Sequence, residues 1–405
     1  MEHDVSEPRT RAPRPSIGVV EWLRQNLFSN WWNSLISIVL LIVIFQVVTG
    51  LLRWILGSEG WIAVANSVRI ILLGRYPPAE AWRPQLIVTM AALLLGLSGG
   101  IWRGIPLNLA VGFSAIMALL GLISFAMPTS EVPLPVATPL FLFGTAILGA
   151  GGIATAWRLR DTLRWPVIAG WLLLYPVTIL ILRGGDTVGT NLWGGLLLTL
   201  LLSVSGIVLS FPLGILLALG RRSDLPVIKW FCVGYIELIR GVPLVTLLFM
   251  ASLMLPLFLP PEVRVDAVVR AIVAVTLFSA AYLAENVRGG LQSLPRGQTE
   301  AARALGLNVV QTTLLITLPQ ALRAVIPVLV GQFIALFKDT SLVVIIGLTD
   351  LLGAAQAINT QPAWFGIPGG VWRETFFVVA GIYWIFSFTM SRTARRIESN
   401  LNVGR

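Results

Sequence analysis

Ten long runs of apolar residues limit what this chain can fold into. The first reads SLISIVLLIVIFQVVTGLLRWIL and carries a single charge. A helix needs about 20 mostly apolar residues to cross the hydrocarbon core of a bilayer. Only 12% of the 405 residues are charged, against roughly 25% in soluble domains, and 56% are hydrophobic. The pattern therefore predicts an all-α integral membrane protein with about ten transmembrane helices.

The runs divide into two sets of five. The first five spans are predicted at about 33–56, 85–101, 107–127, 138–157 and 166–182. The second five are predicted at about 192–219, 230–257, 266–287, 319–346 and 372–391. Residues 61–74 are too short and too interrupted to span, which favours an interfacial helix. Glycine clusters such as Gly96, Gly99 and Gly100 suit close helix packing.

Four segments follow from these runs. Residues 1–28 are polar and predict a disordered cytoplasmic tail, and residues 29–185 predict a set of accessory transmembrane helices. Residues 190–393 hold the second five spans, and residues 394–405 predict a C-terminal tail. The first segment has no short apolar core directly after a basic start, so we expect no cleaved signal peptide.

The distribution of basic residues predicts the orientation. Arginines cluster in alternate connecting segments and at both termini, where they include Arg9, Arg11, Arg14, Arg158, Arg160, Arg164, Arg392, Arg395 and Arg396. Because Lys and Arg accumulate in cytoplasmic loops, both termini and the segment Glu300–Pro319 are predicted to lie on the cytoplasmic side. The net charge of +10 then reflects this bias, and we expect no nucleic-acid partner.

Several functions are disfavoured by missing residues. Cys232 and His3 are the only residues of their types, which excludes disulfide frameworks, histidine triads and Cys/His metal sites. We therefore expect no metal and no cofactor. The sequence has no G-x-x-x-x-G-K-[ST] loop, so ATP hydrolysis by that route would need a separate subunit.

The segment Glu300–Pro319 is polar at its start and lies between two apolar runs. Ser293 is predicted to cap a first short helix, with Pro295 in its first turn. Gly306 supplies a left-handed residue that ends this helix, Asn308 can cap a second, and Pro319 marks the start of the next span. An ordinary amphipathic connector and a docking surface would both explain these features.

Fixed spacings in this segment resemble a known family. Glu300, Ala301, Ala302, Gly306, Ile316, Leu318 and Pro319 match the cytoplasmic loop of permease subunits of bacterial ABC importers. In that family the loop forms a coupling helix that sits in a groove of the ABC ATP-binding subunit. The two alanines would allow close approach of a partner, Glu300 would accept hydrogen bonds from it, and Gly306 would fix the bend.

Neighbouring segments resemble the polar amino acid permeases in particular. They are ELIRGVPL at 237–244, RGGLQ at 288–292 and FKDTSL at 337–342. Their order is similar to that of the M-type permease of the general L-amino acid importer, and the resemblance covers about 190–393. It implies a five-helix type I ABC importer core with about five accessory helices, in the bacterial inner membrane. It also implies a second, Q-type permease, a periplasmic amino acid-binding protein and surrounding membrane lipid as partners.

This sequence departs from that family at two positions. Gly331 stands where such permeases often carry Asn, which leaves the substrate range open. Asn286 replaces an expected apolar residue.

Two polar groups lie within the second five runs. Arg240 is predicted to lie about 20 Å along its span, near the bilayer midplane. It either pairs with Glu237 three residues away or contacts a substrate carboxylate. Lys338, Asp339, Thr340 and Ser341 either line the path or end one helix and begin another. Tyr235, Tyr282 and Glu285 are weaker candidates for the cavity.

The alternative function is a secondary, ion-driven amino acid transporter. Such proteins use intramembrane carboxylates, as Glu237 and Asp339 would be, together with inverted repeats. The two halves of this chain do not match each other. A membrane enzyme is disfavoured because the runs lack clustered His, Asp or Ser.

Overall fold

The computed structural model describes residues 18–126, 138–260 and 262–402. Across those ranges the chain is helical, apart from turns and one isolated bridge between Gly195 and Asp350. Nine of the helices described there are long and apolar enough to cross a membrane, and a tenth span is formed by a bent pair. The predicted all-α membrane architecture with about ten spans is confirmed.

The described residues before Gly60, residues 18–59, form a compact unit of their own. This unit contains helix α1 (Val19–Asn26) and helix α2 (Trp31–Gly57), and Asn30 caps α2 by accepting a hydrogen bond from the Asn33 N–H at 2.8 Å. Within the predicted disordered tail, residues 1–17 lie outside the described residues. The prediction is wrong for Val19–Asn26, which is helical.

The described residues from Gly60 onward form the second compact unit. Its first part contains six helices, which are α3 (Trp61–Asn66), α4 (Val68–Leu73), α5 (Trp82–Trp102), α6 (Gly104–Ala126), α7 (Pro139–Arg158) and α8 (Arg160–Arg183). Its second part continues with α9 (Gly195–Arg221), α10 (Pro226–Gly241), α11 (Leu244–Phe249), α12 (Leu255–Phe258), α13 (Ala267–Gln292), α14 (Arg296–Ala304), α15 (Val309–Gln311), α16 (Leu318–Asp339), α17 (Leu351–Asn359) and α18 (Trp372–Asn402).

Helices α5 and α7 meet through glycine. A Cβ atom on Gly96 would lie 2.1 Å from the carbonyl oxygen of Gly149, and one on Gly100 would lie 2.6 Å from that of Ile153. The two backbones are therefore closer than any side chain at these positions allows. This confirms the packing predicted from the glycine clusters.

Residues 61–74 differ from the single interfacial helix that we predicted. They form α3 and α4, which break at Ser67 and pack against helices of the second part. Ala63 and Ile71 are buried in one cluster with Leu351 and Ile358. Burial against the protein explains why this segment has no clear polar face.

Tyr76 joins the accessory helices to the second part. Its side chain is fully buried, and its hydroxyl donates to the carbonyl oxygen of Leu182 at 2.9 Å. Burial raises the pKa of Tyr76 above its usual value. Tyr76 shares an apolar cluster with Leu182, Trp193 and Leu201, so residues from both parts make one core here.

Three spans of the second part, namely α9, the broken span with α10 and α11, and α16, pack around α13 in two apolar layers, and α18 packs on α16. Leu283 and Val287 lie in the layer that also holds Ile236 of α10. Ala271 and Val275 lie in the other, with Leu244 and Leu248 of α11. We call the end of this core where α13 passes into α14 (residues 292–308) the loop end.

The second of these spans is broken. Helix α10 and the stretch Leu244–Phe258 meet at an angle of 104°. The break falls at Val242 and Pro243, and proline lacks the N–H that an uninterrupted helix would use. The predicted span 230–257 is thus two helical arms, one in each apolar layer.

The last helix is longer than predicted. Helix α18 continues past residue 391 as far as Asn402, so the predicted tail 394–405 is helical up to that residue. Residues 403–405 lie outside the described residues.

Candidate functional site

The loop between α14 and α15 is built around Gly306. This residue has φ +82°, and the N–H of Leu307 donates to the carbonyl of Ala302 at 3.1 Å. A left-handed residue with such a backward hydrogen bond is a common way to end a helix, and glycine adopts it without steric cost. The predicted bend at Gly306 is confirmed.

The start of α14 differs from the prediction. Pro295, rather than Ser293, lies at the N-cap position. The Ser293 hydroxyl instead donates to the carbonyl of Gly290 at 2.9 Å, which helps to close the end of α13. Sequence alone does not decide which of two adjoining helix ends a serine serves.

Asn308 caps the second helix as predicted. Its side chain accepts from the Gln311 N–H at 2.8 Å, and the Gln311 side chain accepts from the Asn308 N–H at 3.0 Å. This reciprocal pair satisfies two N–H groups that the helix cannot satisfy itself.

The second loop helix and the following span are one continuous helix. Helix α15 passes through a π-helical turn, Thr312–Thr317, directly into α16. Pro319 lies in the first turn of α16, as predicted, and the helix runs through this position without a break. The wider π-turn lies just before Pro319, which has no backbone N–H to donate to the preceding turn. The loop thereby continues into a membrane span without a break in the helix.

Apolar side chains cover the outer surface of the loop. Leu305 is 82% exposed, and Val309 and Val310 are each about two-thirds exposed. Glu300, Ala301 and Pro319 are exposed as well, whereas Ile316 and Leu318 are half-buried.

Ala302 does not lie on that surface. It is only 3% exposed, because α14 packs against Thr312–Thr317 on this side. The expectation that both alanines face a partner is therefore wrong for Ala302, whose small side chain serves packing inside the chain.

A network of five charged side chains joins α9, α10 and α13. Glu285 of α13 is 3.3 Å from Arg221 and 3.9 Å from Arg240, and it also bonds to Arg288. Glu237 is 2.9 Å from Arg221. The predicted pair between Glu237 and Arg240 is absent from the ion pairs of the described residues.

Arg240 lies at the bend of the broken span. It belongs to the last turn of α10, and its guanidinium lies 5.5 Å from the centre of the Tyr282 ring. Glu285, its ionic partner, is seven residues before the end of α13, or about 10 Å from it. Arg240 thus lies nearer the loop end than the midplane position predicted for a straight span.

The four polar residues at 338–341 mark a change of helix type. The α-helix ends at Asp339 and a 3-10 helix runs from Thr340 to Ile346. Thr340 is fully buried, and its hydroxyl donates to the Phe337 carbonyl at 2.8 Å. Lys338 and Ser341 line an open groove of about 410 Å³ with Ala380, Tyr383, Trp384 and Ser387. This segment both ends one helix type and lines a groove, so the two interpretations given above do not exclude each other.

A buried carboxyl group lies beside this groove. Asp350 has no exposed surface, and it accepts from the Gly353 N–H at 2.9 Å and from the Tyr383 hydroxyl at 3.0 Å. Burial raises the pKa of Asp350, although these hydrogen bonds oppose the shift.

Sequence reasoning missed several of these residues. The sequence gives no separate role to Arg221, Tyr383 or Ser387, and Arg288 enters only as part of the RGGLQ segment. The four-residue spacing of Tyr383 and Ser387 is the only signal, because it places both on one helix face. Glu285 was a weaker candidate, but it makes the most ionic contacts in the network.

Comparisons with known proteins identify the family to which this chain is similar. The family described as "Binding-protein-dependent transport system inner membrane component" matches residues 210–403. The inner membrane amino-acid ABC transporter permease protein YhdY of Escherichia coli is 38% identical over 421 residues, covering 99% of this chain and 98% of the relative.

Two further similarities have been found. The glutamate/glutamine/aspartate/asparagine transport system permease protein BztC of Rhodobacter capsulatus is 38% identical over 444 residues, or 98% of each chain. A crystal structure of an amino acid ABC transporter with histidines covers 51% of this chain and 92% of its own, at 30% identity and a TM-score of 0.45.

These matches define a class of membrane protein: the permease subunits of ABC transport systems, which are not themselves catalytic. The chain belongs to the family of binding-protein-dependent transport system inner membrane components, and it is a multi-pass membrane protein.

Proposed function

We propose that this chain is the permease subunit of an ATP-driven amino acid importer and that Glu300–Pro319 couples it to a separate ATP-binding subunit. The continuous helix from α15 into α16 is the observation on which the proposal depends. It joins an exposed loop to a membrane span without a hinge.

The surface of the loop supports a protein partner. Leu305, Val309 and Val310 are exposed next to the polar residues Glu300 and Asn308. An apolar patch rimmed by polar groups is typical of a docking site. An ATP-binding subunit is the partner that this family requires, and the sequence contains no phosphate-binding loop of its own.

The mechanism follows from the length of the joined helix. From Val309 to Asp339 it has 31 residues, which corresponds to about 46 Å at 1.5 Å per residue. Movement of the loop by the ATPase would therefore displace Lys338 at the far end of α16. Alternating access would arise from such rigid displacement of packed helices.

The substrate class is taken from the relatives. Both full-length relatives are described as amino acid permeases, so we assign amino acids to this chain. The path would pass the network at Arg240 and Glu237 and the segment Lys338–Ser341. A second, Q-type permease would complete the pore, and a periplasmic amino acid-binding protein would deliver the substrate.

The orientation follows from the same loop. An ATP-binding subunit is cytoplasmic, so the loop end faces the cytoplasm. The arginine-rich segments and both termini then lie on that side too. The relative YhdY is an inner membrane protein, and we propose the bacterial inner membrane for this chain as well.

Reconstituted transport tests the proposal. The chain is purified with its co-expressed partners, placed in liposomes and supplied with radiolabelled L-glutamine and the binding protein outside. We expect uptake only when ATP is enclosed and the ATP-binding subunit is wild type. Uptake that persists with a hydrolysis-deficient ATP-binding subunit and follows an ion gradient would instead support the secondary transporter.

A further inference from the structure

Three helix ends meet at one corner of the accessory helices. Ile101 at the end of α5, Ala156 at the end of α7 and Val167 near the start of α8 are buried in one apolar cluster. Between the start of α8 and the end of α13 the chain crosses the membrane four times, through α8, α9, the broken span and α13. An even number of crossings puts this corner on the same side of the membrane as the loop end. We call it the arginine corner, after Arg103, Arg158, Arg160 and Arg164.

The arginine corner carries charge that the described chain does not neutralise. All four arginines are exposed, and Asp161 is the only acid in residues 98–108 and 152–168, so the formal charge is +3. None of the four forms an ion pair with a residue that the structure describes. Arg160 and Arg164 are neighbours on one face of α8, where like charges repel. A bound anion would relieve this repulsion.

Each helix end in the corner places an arginine beside a tryptophan. The pairs are Trp102-Arg103, Trp157-Arg158 and Arg164-Trp165. Trp157 is 67% exposed and Trp165 is 72% exposed. Tryptophan is enriched where the hydrocarbon core meets the lipid headgroups, so the arginines beside these rings lie at the depth of the phosphate groups.

Arg103 has a costly backbone conformation. Its φ is +52° and its ψ is −161°, a combination that glycine adopts freely and other residues rarely adopt. Its guanidinium lies 5.5 Å from the centre of the Trp157 ring, so a cation–π contact directs it from α5 towards the end of α7. Glycine would satisfy the turn at this position. Arg103 therefore adds a charge to the corner that the backbone geometry does not require.

We propose that the arginine corner binds the phosphate headgroup of an anionic phospholipid. A guanidinium presents paired N–H donors that match the oxygens of a phosphate, and basic clusters between membrane helices at the headgroup level are typical of such sites. The acyl chains would lie along α7 and α8, where Leu148 and Leu172 are exposed. The inference goes beyond the proposed function, because this lipid is a ligand of the accessory helices and not a substrate.

The exposed tryptophans favour a lipid over a soluble anion. Free phosphate would contact the arginines and leave the Trp157 and Trp165 rings uncovered. A phospholipid contacts both groups, with its phosphate at the arginines and its glycerol and upper acyl chain against the rings.

Native mass spectrometry tests the site on the assembled complex, purified in detergent and freed of lipid. The probes are dioleoylphosphatidylglycerol and dioleoylphosphatidylcholine, which share a phosphate and acyl chains but differ in net charge. We expect the first phosphatidylglycerol to bind at least about tenfold more tightly than phosphatidylcholine. Arg103→Gln combined with Arg160→Gln should weaken it about 30-fold, because each arginine near the membrane surface contributes roughly fivefold.

Arg395→Gln combined with Arg396→Gln is the matched control. Both arginines are exposed near the end of α18, on the same side of the membrane, so this variant also removes two charges. The affinity for phosphatidylglycerol should stay within about twofold of the wild type, since a headgroup in the corner contacts neither residue.

Arg103→Gly separates lipid binding from folding. Glycine relieves the backbone strain, so the melting temperature of the lipid-free complex should not fall. The affinity for phosphatidylglycerol should still drop about fivefold. A lower melting temperature with unchanged lipid affinity would show that Arg103 has only a structural role.

Four further outcomes would overturn the inference. Equal affinity for the two lipids would show apolar contact alone, and equal weakening by the control pair would show a diffuse effect of charge. Displacement of phosphatidylglycerol by an equal concentration of sn-glycerol 1-phosphate would show a soluble-anion site. Phosphatidylglycerol binding to the chain alone but not to the assembled complex would show that another subunit covers the corner.

Discussion

Glu285 shows how a single residue organises the charged network. It contacts three arginines from three helices, and its side chain is 21% exposed. Among the described residues Glu237 forms an ion pair with Arg221 alone, and its side chain is 56% exposed. A carboxylate that neutralises several partly buried cations contributes more to the free energy of unfolding than an exposed carboxylate that pairs with one cation.

The two acids should therefore differ on substitution. We expect Glu285→Ala to reduce the free energy of unfolding by about 2 kcal/mol, because it leaves three arginines without their shared counter-charge. Glu237→Ala, the matched control, should cost less than about 1 kcal/mol. Thermal unfolding of the purified protein in detergent measures both. Equal losses would contradict the central position of Glu285.

Asp350 should make stability depend on pH. Since burial raises its pKa in the folded protein, the folded state binds the proton more tightly than the unfolded state. Its contribution is thus full below the unfolded pKa of about 3.9 and is lost as pH rises through the raised folded value. The melting temperature of the wild type should fall relative to Asp350→Asn as pH increases from 4 towards 8. A difference in melting temperature between the two proteins that stays constant over this range would contradict the raised pKa of Asp350.

At the scale of elements, the coupling loop and the accessory helices depend on backbone geometry. Gly306 ends α14 in a left-handed conformation, which the chain needs before α15 can join α16. Gly96 allows α5 to touch α7 along the backbone. At Gly306 the left-handed conformation disfavours most side chains, whereas at Gly96 there is no space for any side chain.

Gly306 can be tested with two side chains of similar size. Valine at φ +82° costs about 1–2 kcal/mol, whereas asparagine adopts the left-handed region readily. We expect Gly306→Val to abolish ATP-dependent uptake while membrane insertion is unchanged, and Gly306→Asn to retain most of it. Equal uptake by the two variants would remove the left-handed turn from the coupling mechanism.

Gly96 can be compared with a glycine in open space. A Cβ at Gly96 meets the Gly149 carbonyl, so Gly96→Ala should lower the melting temperature by several degrees. A Cβ at Gly112 of α6 meets no atom within 4 Å, and Gly112→Ala should leave the melting temperature unchanged or raise it slightly. If Gly96→Ala left the melting temperature unchanged, this would show that α5 and α7 can move apart to accept the added methyl group.

On the scale of the whole molecule, the accessory and core spans share an interior. The family match covers residues 210–403, yet Trp193 and Leu201 are buried together with Tyr76 and Leu182. Ala63 and Ile71 likewise cover Leu351 and Ile358. The shared family core in this chain is therefore incomplete without residues 60–183.

A shortened chain tests this dependence. We expect a protein of residues 190–405 to aggregate in detergent, because its buried leucines, isoleucines and Trp193 would become exposed. Size-exclusion chromatography beside the full-length chain measures the effect. A monodisperse core with an unchanged melting temperature would show that the accessory helices are dispensable for folding.

The sequence by itself determined the features that depend on local pattern. Run length and charge predicted ten helices, and the caps at Gly306 and Asn308 appear in the structure as expected. These features depend on residues within a few positions of one another, or on the hydropathy of one segment.

Only the tertiary structure decided which distant groups meet. Arg240 bonds to Glu285 across 45 residues rather than to Glu237, Ala302 is buried by the following turn, and Tyr383 reaches Asp350. The sequence also does not predict the 104° bend after Gly241, because a proline permits a break in a helix without fixing its angle. Such partnerships depend on how whole helices pack, and helix packing has no signature in the spacing of a single segment.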